Sequence, residues 1–107
     1  MSLSARFTGH PATDLLEALA DPVRLSILIL LAEKPMLSGA QIMRELMIQP
    51  PMLTRNLRRL QVAGLISKHR NPPGFLYATT DQVTWSAGML TAESQGTQVT
   101  VTTGVRP

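Results

Sequence analysis

SGAQIMRELMIQPPMLTRNLRRLQVAGLISKHRNPPGFLY, residues 38–77, is the stretch whose reading decides the fold. Ser38-Gly39-Ala40-Gln41 has the form of a capping box, with Ser38 as N-cap and Gln41 reaching back, so a helix is expected to start there and bury Ile42, Met43 and Leu46. Ile48 is expected to turn inward at the corner that follows. Proline fits only the first turn of a helix, so Pro50-Pro51 marks the start of the next one. In it, Leu53, Leu57 and Leu60 recur at i, i+4 and i+7 as one buried stripe. Gly64 suits the left-handed position that ends a helix. Two short strands are expected next, Leu65 to Arg70 and Phe75 to Thr79, around the Asn71-Pro72-Pro73-Gly74 loop: a hairpin.

Upstream, Leu15, Leu16 and Leu19 fall at helical spacing in a short first helix. Asp21-Pro22 is a restart signal, because the carboxylate caps the next helix and a proline at its first position needs no amide partner. Val23 to Ala32 are apolar on nearly every side, which predicts a helix buried all round. Met36 and Leu37 read as a short extended segment. Downstream, Thr80 or Asp81 is expected to cap a last helix through about Leu90. The polar, Thr- and Gly-rich tail is read as mobile, with Val99 and Val101 able to put Gln98 to Thr102 into a strand if another segment pairs with them. The expected organisation is therefore an arm over residues 1–12, one domain over 13–90 and a tail over 91–107, mainly α with a small β-hairpin.

The 107 residues, 44% of them hydrophobic, suffice for one core built from Leu, Ile, Met and Val. No cysteine is present, which removes disulfides and thiolate metal sites and fits a reducing cytoplasm. No signal peptide or membrane span is expected, since the longest apolar run is only Ile27 to Ala32. The formal charge is a modest +3, but its distribution is uneven. No acid lies between Glu45 and Asp81, a stretch that holds Arg55, Arg58, Arg59, Lys68 and Arg70 together with His69. Such a local basic field suits a polyanion.

The element order is helix, helix, short helix, corner, basic helix, basic hairpin, and it suits duplex DNA. An α-helix fits the major groove with its outward side chains at the base edges. With the leucines inward, Met52, Arg55, Asn56 and Arg59 are expected to face out, with Thr54 and Arg58 on the flanks. Arginine can read guanine with two hydrogen bonds, asparagine can read adenine, and Met52 can touch a thymine methyl. Lys68, His69 and Arg70 on the hairpin are expected to meet phosphates, which position a protein without reading sequence. The architecture implied is a winged helix-turn-helix. No Gly-rich phosphate loop, Ser/His/Asp set or close carboxylate pair supports an enzyme.

Three segments resemble the ArsR-type winged-helix regulators. Leu19-Ala20-Asp21-Pro22-Val23-Arg24-Leu25-Ser26-Ile27-Leu28 is similar to that family's L-x-D-P-x-R-L-x-I-L opening. Residues Leu53 to Ile66 are similar to its recognition helix and L-x-x-A-G-L-[VI] exit, and Phe75-Leu76-Tyr77 to the aromatic strand after the wing. The resemblance covers about residues 13–80. It implies a cytoplasmic, nucleoid-associated homodimer, paired through its first and last helices, that represses by occluding a promoter. It places Gln49 and Pro51 with the residues named above at the DNA, and Arg24 either at a phosphate or paired internally with an acid.

Several positions depart from the family pattern. The family's metal-sensing cysteines and Asp/His pairs are missing, His10 with Asp14 offers too few ligands, and neither a metal nor any other cofactor is expected. The usual corner glycine is Met47, the usual serine cap is Gln49, and a position often histidine is Asn56. Read as a helix, residues 81–90 put Val83, Ala87 and Leu90 on one face and Trp85 and Met89 on another. Together with Leu15, Leu16 and Leu19, residues Val83, Trp85, Met89 and Leu90 make the expected dimer surface. The competing reading is a winged-helix interaction module in a plasmid or phage replication or partition complex, recruiting a partner through the last helix and the tail.

Overall fold

The computed structural model describes residues 4–8, 13–94 and 96–102. Strand β1 (Ser4–Thr8) is followed by helices α1 (Thr13–Leu19) and α2 (Pro22–Glu33), then β2 (Leu37–Ser38), α3 (Gly39–Leu46) and α4 (Pro50–Val62). Five further strands complete the described chain: β3 (Ile66–Asn71), β4 (Gly74–Thr79), β5 (Val83–Ser86), β6 (Met89–Ser94) and β7 (Thr97–Thr102).

Local chemistry sets the helix boundaries as the sequence suggests. Asp21 accepts hydrogen bonds from the amides of Val23 (2.8 Å) and Arg24 (3.1 Å), capping α2 ahead of Pro22. The α3 capping box is complete: the Gln41 amide donates to Ser38 Oγ, and the Ser38 amide donates to Gln41 Oε1. Helix α2 is buried through Leu25, Ile27, Leu28, Leu30 and Leu31 and forms the centre of the core. Met47 takes the left-handed conformation at φ 55°, and Ile48 donates back to the Met43 carbonyl, so the corner turns without a glycine. Helix α4 ends in a Schellman motif. Leu65 donates to the Leu60 carbonyl, Gly64 donates to the Gln61 carbonyl, and Gly64 sits at φ 77°. A Cβ at Gly64 would also stand 2.5 Å from Gln82 Oε1, the end of a flexible side chain that can move aside, so the positive φ is what holds that glycine.

The extended segment at Leu37–Ser38 joins the hairpin and makes a three-stranded antiparallel sheet, β2-β4-β3. The C-terminal third departs from expectation. Residues 81–90 form no helix, and residues 91–102 form no mobile tail. They build a four-stranded antiparallel sheet, β1-β7-β6-β5, in which Ser4–Thr8 of the expected arm is an edge strand on β7. The fold is thus a mixed α and β structure rather than a mainly α one.

Period-two alternation explains the sheet. Val83 pairs with Ala92, and Ala92 with Val99; Trp85 pairs with Leu90, and Leu90 with Val101. Cross-strand partners share a face, so these six side chains close over the helices. Val83, Leu90, Ala92, Val99 and Val101 are buried, and Trp85 packs against them half-buried. Ala87 and Gly88, both at positive φ, supply the two-residue turn between β5 and β6. Thr80 stops the preceding strand, its hydroxyl donating to the Gly64 carbonyl (2.7 Å) and accepting from the Gln82 amide. Among the described residues, no helix is long and apolar enough to cross a membrane.

Candidate nucleic-acid interface

Helix α4 carries the basic surface. Leu53, Asn56, Leu57 and Leu60 are buried, so these four residues define the inner face. At about 100° per residue, the direction opposite them belongs to Pro51, Arg55, Arg58 and Val62. Thr54 lies toward one flank; Met52 and Arg59 lie toward the other, where α1 packs. Arg58, expected on a flank, therefore stands near the centre of the outer face beside Arg55. Gln49, Pro51, Met52, Thr54, Arg55, Arg58 and Arg59 are all exposed. Gln49 makes no side-chain cap bond, and Pro50 and Pro51 fix the first turn by their backbone geometry alone.

Two expected DNA contacts move elsewhere. Asn56 does not face out. It is 2% exposed, and its Oδ1 accepts from Arg24 Nη1 at 3.1 Å. Arg24 pairs with no acid among the described residues. Its Nε donates to the Ala18 carbonyl (2.9 Å) and its Nη2 to the Glu17 carbonyl (2.6 Å), which also accepts from the Ala20 amide, so it caps the end of α1. One guanidinium thus ties α1, α2 and the basic helix together. The reason lies in the Asp21-Pro22 start, which fixes the first turn of α2 and aims residue 24 back at the helix it has just left.

Arg59 is partnered as well. Its Nη1 lies 3.5 Å from Glu17 Oε2, with both side chains about half exposed. Arg55 and Arg58 have no ion pair among the described residues. Lys68, His69 and Arg70 are exposed on β3, but strand alternation divides them. Lys68 and Arg70 share a face with Phe75 and Tyr77, and the Lys68 ammonium lies 4.0 Å from the centre of the Phe75 ring. His69 points to the other face, where Nε2 is 2.8 Å from Ser67 Oγ. Burial pushes the Tyr77 phenol above its ordinary range, so it stays neutral.

The expected dimer surface is also redistributed. Leu15, Val83 and Leu90 are buried within the chain. Leu16, Leu19 and Trp85 are half-buried, and Met89 is exposed on the sheet face opposite Trp85. The shared face of Trp85 and Met89 existed only on the expected helix. Among the described residues, no group of three His, Cys, Asp or Glu side chains could hold a metal ion; His10 lies outside them.

Residues 21–68 match the sequence model of the bacterial regulatory proteins of the arsR family, from the Asp21 cap to Lys68 on β3. This segment is similar to the arsR-family helix-turn-helix over 48 of the 107 residues. Solved structures agree with it. The transcriptional repressor BigR from Xylella fastidiosa is similar at 29% identity and TM-score 0.59, over 64% of this chain and 68% of that one. HlyU from Vibrio cholerae is similar at 26% identity and TM-score 0.59, over 64% and 73%. A predicted DNA-binding transcriptional regulator from E. coli is similar at 29% identity and TM-score 0.58, over 64% and 72%. No curated protein matches the sequence. The ArsR-family match ends before β4, so β5, β6 and β7 lie outside it.

Proposed function

We propose that the protein is a sequence-specific, double-stranded DNA-binding transcriptional regulator that represses as a dimer by occluding a promoter. The observation that carries this reading is the outer face of α4. Arg55 and Arg58 project there without acidic partners among the described residues, within a segment that matches the arsR-family model. Arg55 and Arg58 offer the bidentate chemistry that reads guanine, and Thr54 offers a hydroxyl and a methyl. Lys68 and Arg70 hold the backbone beside them. Asn56 and Arg24 act from behind the helix and set its angle. Likeness to BigR, a transcriptional repressor, supports repression. A second copy is placed against the exposed parts of Leu16 and Leu19 on α1, so that two α4 helices reach successive major grooves about 34 Å apart.

Fluorescence anisotropy with the duplex upstream of the protein's own gene, repeated across salt concentrations, tests this, with light scattering for the mass. If each protomer neutralises about 4 phosphates, log affinity falls against log salt with a slope of about −7 for the dimer. Arg55→Ala and Arg58→Ala each weaken the specific duplex by about 1–3 kcal/mol, and Lys68→Ala weakens all duplexes alike. Salt-independent binding, or a monomeric mass on DNA, contradicts the proposal.

A further inference from the structure

A cavity of about 320 Å³ lies between α1 and α4, lined by Glu17 and Ala18 on one side and by Arg55, Arg58, Arg59 and Val62 on the other. Ala63 completes the lining. Its volume lies at the lower end of the range that small-molecule sites occupy. Its chemistry is divided. Ala18 and Ala63 are buried alanines that offer only methyl groups, while Val62, 71% exposed, adds an apolar side chain with no core to join. Three guanidiniums face a single carboxylate, and that carboxylate, Glu17, is held loosely at 3.5 Å from Arg59. A methyl-lined recess beside excess arginine suits an anion with an apolar body.

We infer that this cavity is a binding site for a small aromatic or branched aliphatic carboxylate, and that its occupant competes with DNA. A duplex phosphate can meet the guanidiniums but has no apolar group to fill the recess, so the site favours a free organic acid over the backbone. The carboxylate takes a fork-to-fork pair from Arg58 or Arg55, with its hydrocarbon against Val62 and Ala18. Those arginines are also the proposed base readers, so one occupant excludes the other. The competition rests on the proposed DNA-binding function; the binding of the acid does not.

Titration of the full chain with 2-naphthoate, followed by amide chemical shifts, tests the site, with 2-naphthamide and inorganic phosphate as neutral and charge-only controls. Saturable binding of 2-naphthoate that moves Ala18, Val62 and Ala63 is expected, with both controls roughly tenfold weaker or more. Val62→Asn weakens 2-naphthoate while leaving DNA affinity in its absence unchanged. Saturating 2-naphthoate raises the apparent Kd for the upstream duplex roughly tenfold, and 2-naphthamide does not. Absence of saturable 2-naphthoate binding, or equal binding of either control, overturns the site. Binding at these residues with unchanged DNA affinity overturns the competition, whereas acid binding by a chain that binds no DNA leaves the site standing and removes the proposed function.

Discussion

Replacing Arg24 with alanine is expected to destabilise the protein by about 2–4 kcal/mol and to weaken every duplex alike, since the basic helix loses the contact that sets its angle. Three hydrogen bonds end on this guanidinium, to the Ala18 and Glu17 carbonyls and to Asn56 Oδ1. Bonds to charged groups contribute about 1.5–3 kcal/mol each, and water can replace the exposed one at Glu17. It cannot easily reach Asn56, at 2% exposed, so truncation leaves a buried amide oxygen without a donor. For a domain near 100 residues this corresponds to a fall in Tm of roughly 10–25 °C. Arg24→Lys does not rescue, because one ammonium cannot span three acceptors on two helices. Asn56→Ala separates a positioning role from base reading. It is expected to lower stability and weaken every duplex in parallel, whereas a shift in preference at a single base pair would return Asn56 to the groove.

The second large effect falls on residues that the sequence suggests form a mobile tail. Ending the chain after Leu90 removes four of the six residues of β6 and all of β7, including the buried Ala92, Val99 and Val101, and leaves β1 without its partner strand. The truncated chain is expected to lose cooperative unfolding altogether. Leu90→Ala is the milder form of the same test. Leu90 is 0% exposed, and truncating such a leucine costs about 2–5 kcal/mol, depending on how far the cavity collapses. Urea denaturation followed by circular dichroism measures both. A truncated protein that melts like the full chain would show that the sheet is an appendage rather than part of the core.

Residues 21–79 were legible because their signals are local. The Asp21 cap, the Ser38–Gln41 box, the proline start at Pro50-Pro51 and the Gly64 stop each act within one helical turn, and each is found where the sequence places it. The sheet escaped for two physical reasons. Val83, Ala87 and Leu90 imitate helical spacing, while the true period of two shows only when Val83 and Trp85 are read together with Leu90 and Ala92. The pairing of β1 with β7 joins the two ends of the chain, and no local pattern announces it.

The site was legible by composition more than by direction. The acid-free stretch does hold an exposed basic surface. The leucine spacing suggested that Asn56 faces out, and the Arg24 side chain arriving from α2 shows why it turns inward instead. Likewise, consecutive Lys68, His69 and Arg70 read as one cluster, although a strand must send His69 the other way. Glu17 and Val62 carried no signal at all, since their significance depends on the groove that α1 and α4 form together.

Amide chemical-shift mapping of the full chain on the duplex upstream of its own gene tests the central claim most directly. The account predicts shifts over Gln49 to Arg58 and over Lys68 to Phe75, with the outer face of the β1-β7-β6-β5 sheet unmoved. Shifts confined to that sheet, with α4 silent, would contradict it.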